Sequence, residues 1–226
     1  MIWYRDVVKT YGQYCALARA LDVVGDRWTL LIVRELLSLS ACRYVDLQRG
    51  LPGIATNLLA SRLRDMEAAG LVRRGKLPRP ANAVVFSLTD RGASLEGVVR
   101  EFIKWGAPVM GPPAQEESFR AHWLLLPLRA LCRDNDPAAL QKIVRVGTVD
   151  DGCDITASDG IIQVAPSDPL AHPDAVVAGD PGAIVALFAG QLPVAAAVEA
   201  QLIVGDTSAV RRIIGGTSVA SARAVS

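Results

Sequence analysis

The sequence predicts two folds in one chain: an N-terminal winged helix-turn-helix, mostly α with a β-hairpin wing, and a C-terminal α/β domain. Three observations predict this. Charge divides the 226 residues unevenly: residues 1–110 hold 16 Lys+Arg and 10 Asp+Glu, and residues 111–226 hold 8 and 13, so a net charge of +1 conceals a basic half and an acidic half. Residues 54–70 read as a helix with two unlike faces, followed at once by a basic strand. Beyond a Pro- and Gly-dense stretch, short apolar runs alternate with helices of small residues, the pattern of an α/β layer.

The helix at 54–70 organises the first half. Leu59, Leu63 and Met66 recur at helical spacing and form a core-facing stripe. Asn57, Ser61 and Arg64 fall on the opposite face, with Ala60 beside them. A solvated helix face ordinarily carries Glu and Lys. This one offers small hydrogen-bonding side chains and one arginine, a surface able to lie against base edges in a DNA major groove. Thr56 is its expected N-cap, Gly70 its C-terminal stop, and the strand that follows carries Arg73, Arg74 and Lys76.

The other elements follow in order. Residues 2–14, with Trp3, Tyr4, Tyr11 and Tyr14, are too apolar to stand free and should pack on their own domain or a second subunit. Residues 15–24 predict a first helix, 27–39 a second with Asp26 as N-cap, and 43–49 a short third with Tyr44 and Leu47 inward. Residues 71–76 and 83–88 predict a hairpin, its loop stiffened by Pro78 and Pro80 and presenting Arg79. Thr89-Asp90 caps a helix over 91–105. Domain boundaries are then 1–106 for DNA binding and dimerisation, 107–115 for a linker, and 116–226 for the α/β domain. Within the last, 117–134 predicts a helix kinked near Pro127, with a further turn at 137–142. Residues 143–149 and 160–165 predict strands about a turn at Asp150-Asp151-Gly152, and 175–178 and 202–204 further strands. Residues 181–189, 194–200 and 208–214 predict helices.

Certain of these residues carry a family resemblance. Cys15-Ala16, Gly25-Asp26-Arg27-Trp28-Thr29-Leu30-Leu31-Ile32, Gly53-Ile54, Leu59-Ala60-Ser61-Arg62-Leu63, Gly70-Leu71-Val72 and Leu88-Thr89-Asp90-Arg91-Gly92 together resemble the HxlR family over residues 13–106. That resemblance implies a bacterial winged-helix transcriptional regulator, distantly similar to MarR, that binds double-stranded DNA as a homodimer. The two prolines of the wing loop depart from many relatives. In the second half, Val177-Ala178-Gly179-Asp180, the run from Ala183 to Gly190, and Leu202-Ile203-Val204-Gly205-Asp206 resemble the sterol carrier protein type 2-like fold. That implies an α/β layer around an apolar tunnel for a hydrophobic small molecule.

For DNA, Thr56, Asn57, Ser61 and Arg64 are placed at base edges. Arg62, on the helix flank, and Arg43, Arg73, Arg74, Lys76 and Arg79 are placed on phosphate or in the minor groove. Any single arginine among them reads equally as a solvated charge. Phe119, Trp123, Leu126, Val144, Val146, Ile162, Val164, Leu187, Phe188 and Val198 are the expected effector-tunnel wall, or else plain core. Cys15 stands where some HxlR-like regulators carry a redox thiol, with Arg19 one turn away. A small buried hydrophobe is the preferred reading. Asp150, Asp151, Asp154 and Asp159 lack a closing glutamate and read as a solvated turn rather than a calcium loop. His122 and His172 lack metal-ligand neighbours. No catalytic motif, phosphate-cradling loop, cofactor site or metal site is expected, so the chain reads as a non-enzyme.

Four widely spaced cysteines, the absence of a signal-like start, and an apolar tract at 183–198 interrupted by Gly190, Gln191 and Pro193 predict a cytoplasmic protein with free thiols and no membrane span. The reading is therefore an operator-binding homodimeric repressor whose C-terminal domain senses a hydrophobic small molecule. Two alternatives stand: a thiol-based sensor acting through Cys15 with a structural C-terminal domain, and a hydrophobic-ligand carrier whose basic half binds protein.

Overall fold

The computed structural model describes residues 10–77, 82–110, 114, 116–147 and 152–214. The chain divides into two compact units at Glu96–Gly97.

The first unit runs α1 (Ala16–Val24), α2 (Thr29–Leu39), β1 (Ala41–Arg43), α3 (Tyr44–Gly50), α4 (Thr56–Ala68), β2 (Val72–Lys76), β3 (Val84–Leu88) and α5 (Asp90–Ala93). Its core gathers Ile32, Val33 and Leu36 of α2, Leu47 of α3, Leu59, Leu63 and Met66 of α4, and Val85 and Phe86 of β3, all buried. The apolar stripe read in α4 is thus its core face. Gly70 ends that helix at φ 70°, with its N–H on Glu67 O and the Leu71 N–H on Met66 O, a Schellman closure that leads straight into β2.

Four local readings of this unit change. The 26–28 segment is a turn, in which Asp26 Oδ1 accepts the Trp28 N–H at 2.9 Å, so α2 starts at Thr29 with Trp28 at its N-cap. Residues 41–43 form a strand, pairing Cys42 with Phe86 in a sheet of order β1-β3-β2. Thr56 is the first helical residue of α4 and Ala55 its N-cap, because the threonine side chain is occupied by α3. The helix expected over 91–105 is broken at Ser94–Leu95 into α5 and α6 (Glu96–Gly106). Thr89 caps α5 as expected, accepting the Gly92 N–H at 3.1 Å.

The second unit begins with α6, which the sequence reading grouped with the first domain. Arg100 of α6 donates to Arg129 O at 2.8 Å. Ala107–Val109, the start of the expected linker, is a 3-10 turn with Ala107 buried. After a second 3-10 turn (Ala121–Leu124) come α7 (Leu125–Leu131), β4 (Lys142–Gly147), β5 (Gly152–Ser158), β6 (Ile161–Pro166), β7 (Ala175–Val177), α8 (Pro181–Phe188), α9 (Val194–Glu199), β8 (Ile203–Gly205) and α10 (Thr207–Ile213). The long helix expected over 117–134 shrinks to α7, because Pro127 sits in the first turn of a helix, where its missing N–H costs nothing, rather than at a kink.

The five strands order as β6-β5-β4-β7-β8, with β4 and β7 parallel. β5 went unread; it joins β6 through Asp159-Gly160, both at positive φ (53° and 78°), the backbone of a type I′ hairpin. Asp154, expected on a solvated turn, is buried on β5. Arg145, directly across on β4, donates to its two carboxylate oxygens at 2.7 and 2.8 Å and to Asp168 O at 2.7 Å. A bidentate, fully hydrogen-bonded pair is the form in which such charges tolerate burial. Asp180 and Asp206 each follow a glycine at positive φ and each cap a helix, through the Ala183 and Ser208 N–H groups.

Candidate nucleic-acid interface

The turn between α3 and α4 is set by side chains of α3. Tyr44 O–H donates to Thr56 O at 2.6 Å, and one helical turn on, Gln48 Nε2 donates to Thr56 Oγ1 at 2.9 Å. These two residues fasten the front of the exposed helix, and the sequence reading missed the role of both; their i, i+4 spacing on a short helix was the available signal. Behind them, α3 approaches α2 closely. Gly50 lies where a Cβ would meet Glu35 Oε2 at 2.0 Å, and Glu35 is buried and paired with Arg34 at 2.7 Å. Burial, then the carboxylates of Glu35 and Asp46, push the Cys42 thiol up to about 12.

On the outward face of α4, Thr56, Asn57 and Arg64 are exposed and Ser61 is half-buried. Asn57 folds its Oδ1 back onto the Leu58 N–H at 2.9 Å, which leaves its amide NH₂ pointing outward as a donor. Arg43, at the β1–α3 junction, is exposed, and its backbone N–H goes to Asp46 Oδ2 at 3.2 Å. A shallow cleft lies between helix and wing, lined by Tyr44, Ala60, Leu63, Arg64, Arg74 and Phe86.

The cations expected on phosphate separate into two groups. Arg43, Arg64 and Lys76 are exposed and have no ion-pair partner among the described residues. Arg73 is exposed as well, its Nε donating to Ser87 Oγ at 3.2 Å. Two others are engaged internally: Arg62 with Asp65 at 2.9 Å and Asp26 at 3.8 Å, and Arg74 with Glu67 at 3.0 Å. Arg79 lies outside the described residues.

The residues expected to wall a tunnel do not share one surface. Val144, Val146, Val164, Leu187 and Phe188 pack into a single buried cluster, and Ile162 lies against it. Leu126 is fully buried and Trp123 half-buried, while Phe119 and Val198 are exposed. Cys15, expected as a small buried hydrophobe, is exposed at the N-cap of α1, whereas Cys42, Cys132 and Cys153 are buried. Arg19, its neighbour, reaches Asp22 at 3.8 Å. No helix among the described residues is long and apolar enough to cross a membrane.

Three helices, an exposed fourth held by its predecessor, and a basic two-stranded wing define a winged helix-turn-helix of the DNA-binding class. Comparison with known proteins agrees. The profile of the HxlR-like helix-turn-helix family matches residues 23–113. The HTH-type transcriptional regulator YvaP of Bacillus subtilis is 33% identical over 94 residues, covering 42% of this chain and 86% of that protein. YdzF of the same organism is 34% identical over 92 residues, covering 41% and 84%. YodB, a further HTH-type transcriptional regulator from it, is 31% identical over 86 residues, covering 38% and 76%. Among solved structures, the redox regulator HypR in its oxidized form is 29% identical, covers 43% of this chain and 99% of that one, and superposes with a TM-score of 0.40. The chain belongs to the HxlR family of helix-turn-helix transcriptional regulators.

Proposed function

We propose that the protein represses transcription by binding operator DNA as a homodimer, with α4 in the major groove and the wing against the backbone. The observation that carries this reading is the outward face of α4: donors and acceptors at Thr56, Asn57, Ser61 and Arg64, flanked by the exposed cations Arg43, Arg73 and Lys76. An arginine pairs bidentately with guanine, discriminating by about 1–3 kcal/mol, and the Asn57 amide can donate to a base-edge acceptor. One helix reads too few base pairs for useful specificity, so a second copy is required. Leu17 and Leu21, apolar side chains left exposed on α1, supply surface it would bury.

Mobility shift on DNA from upstream of the protein's own coding sequence tests the binding, light scattering tests the dimer, and a promoter-reporter fusion tests the sign. Failure to bind DNA at low salt refutes the reading.

The second unit is proposed to sense a hydrophobic small molecule. The succession β7, Gly-Asp, α8, α9, β8, Gly-Asp, α10 follows the order of the sterol carrier-like resemblance and supports this assignment. Because Val144, Val146, Val164, Leu187 and Phe188 pack on one another, a ligand must part them, and must bind the parted state better to act as a signal. A fluorescent long-chain fatty acid that neither binds nor weakens the DNA complex would count against it. A second reading has its own support in the exposure of Cys15. There, diamide releases DNA from the wild type and not from Cys15→Ser; equal responses remove it.

A further inference from the structure

Arg74 stands among wing residues expected on phosphate, yet its guanidinium is already engaged on two sides. Its Nε lies 3.0 Å from Glu67 Oε2, in the last turn of α4. Its guanidinium carbon lies over the ring of Phe86, 5.5 Å from the centroid. Phe86 is the direct cross-strand partner of Arg74 in the wing and, on its other side, of Cys42 in β1. One planar group carried on β2 thus touches the exposed helix and the facing wing strand, combining a directed ion pair with a stacked contact that lysine does not reproduce. Lys76, two residues outward on the same face of β2, is exposed and unpaired among the described residues.

We propose that Arg74 is a positioning residue: with Glu67 it sets the wing against α4, and it neutralises no phosphate itself. This rests on the DNA-binding reading above. The physical distinction lies in counterions. A lysine that replaces the ions around a phosphate releases them, so each such pairing steepens the fall of affinity with salt by about 0.9 in the log–log slope. A guanidinium already compensated by a carboxylate releases none. It acts by holding two DNA-facing surfaces in register, so its removal lowers affinity at every salt concentration alike.

The test is fluorescence anisotropy of the full chain on a labelled mixed-sequence duplex of about three helical turns, titrated over a range of NaCl. Lys76→Gln is expected to reduce the slope by about 0.9 for each phosphate that the lysine neutralises. The double variant Glu67→Gln/Arg74→Gln keeps the net charge. It is expected to keep the wild-type slope and to bind about tenfold more weakly. The swap Glu67→Arg/Arg74→Glu remakes the ion pair without the stack on Phe86 and is expected to recover about threefold of that loss. This recovery separates positioning from general damage to the fold. A slope reduced by about 0.9 in the double variant shows that Arg74 neutralises a phosphate and overturns the proposal. Unchanged affinity overturns it too, as does a swap no better than the double variant. Wild-type protein that leaves the duplex unbound at low salt instead overturns the DNA-binding reading itself.

Discussion

Replacing Gly92 by alanine puts a methyl carbon 2.0 Å from Leu71 O, a backbone atom, and 3.0 Å from Leu88 Cδ2. Leu71 O also accepts the Thr89 N–H at 3.0 Å, and Thr89 Oγ1 donates to Gly70 O at 2.6 Å. The carbonyl therefore has no free direction of retreat. Reaching ordinary contact at 3.4 Å requires a shift of about 1.4 Å, enough to break the Thr89 bond. Overpacking of this kind costs about 1–3 kcal/mol and the broken hydrogen bond about 1 more, so the expected destabilisation is about 2–4 kcal/mol. Gly97, five positions on and near the start of α6, is the control. Nothing lies within 4 Å of a Cβ there, so Gly97→Ala is expected to stabilise by about 0.5–1 kcal/mol through helix propensity. Urea unfolding followed by circular dichroism reads both, with unchanged m values confirming that the shift in midpoint is one of stability. A Gly92→Ala midpoint equal to wild type, or a lowered Gly97→Ala midpoint, would falsify the close-approach argument.

Under native conditions Cys15 should take up a maleimide rapidly and alone, since Cys42, Cys132 and Cys153 are buried and their thiols pushed up, Cys42 and Cys153 to about 12. More than one rapid adduct by mass spectrometry contradicts this. Asp134 is held down to about 2 by Arg212 hydrogen bonds, and Asp206 to about 2 by Ser208 and Lys142. With folded values below the ordinary 3.8, the unfolded chain takes up protons first as pH falls. Stability should therefore be full above pH 3.8 and lost towards pH 2, and Asp134→Asn should flatten that limb of an acid titration followed by circular dichroism. Arg64→Ala should weaken operator binding about five- to 150-fold and relax preference at one base position in a binding-site selection. Uniform weakening across sequences places Arg64 on phosphate instead.

The elements legible in the sequence were those whose cause is local. The stripe of Leu59, Leu63 and Met66, the stop at Gly70 and the cap at Thr89 each depend on residues within a few positions. What escaped depends on pairing across distance. Strand β1 is three residues long, and only Phe86 and its neighbours make it a strand. Asp154 looked solvated because its partner Arg145 stands across a hairpin whose register the chain does not spell out. Asp159-Gly160 makes the hairpin between β5 and β6, whereas the turn expected at Asp150-Asp151-Gly152 falls largely outside the described residues. For the interface, the types of residue were readable but their engagements were not. Glu67 and Arg74 are seven residues apart and meet only because the chain reverses at Gly70, and Arg62 of α4 reaches Asp26 in the turn before α2. Internal compensation of a cation is a tertiary fact, and composition cannot show it.

Strand β1 also bears on any attempt to retarget such a protein. It runs without a loop into α3, and its register places Arg43 against Val85 of the returning wing strand. The front of the DNA-facing motif and the wing are therefore one zippered sheet. An exchange that cuts between β1 and the wing separates strands that complete each other's backbone hydrogen bonds, and one that transplants α4 alone loses the Tyr44 and Gln48 hydrogen bonds to Thr56. The portable cassette is Ala41 through Leu88, and specificity swaps built on that segment should fold where shorter grafts do not.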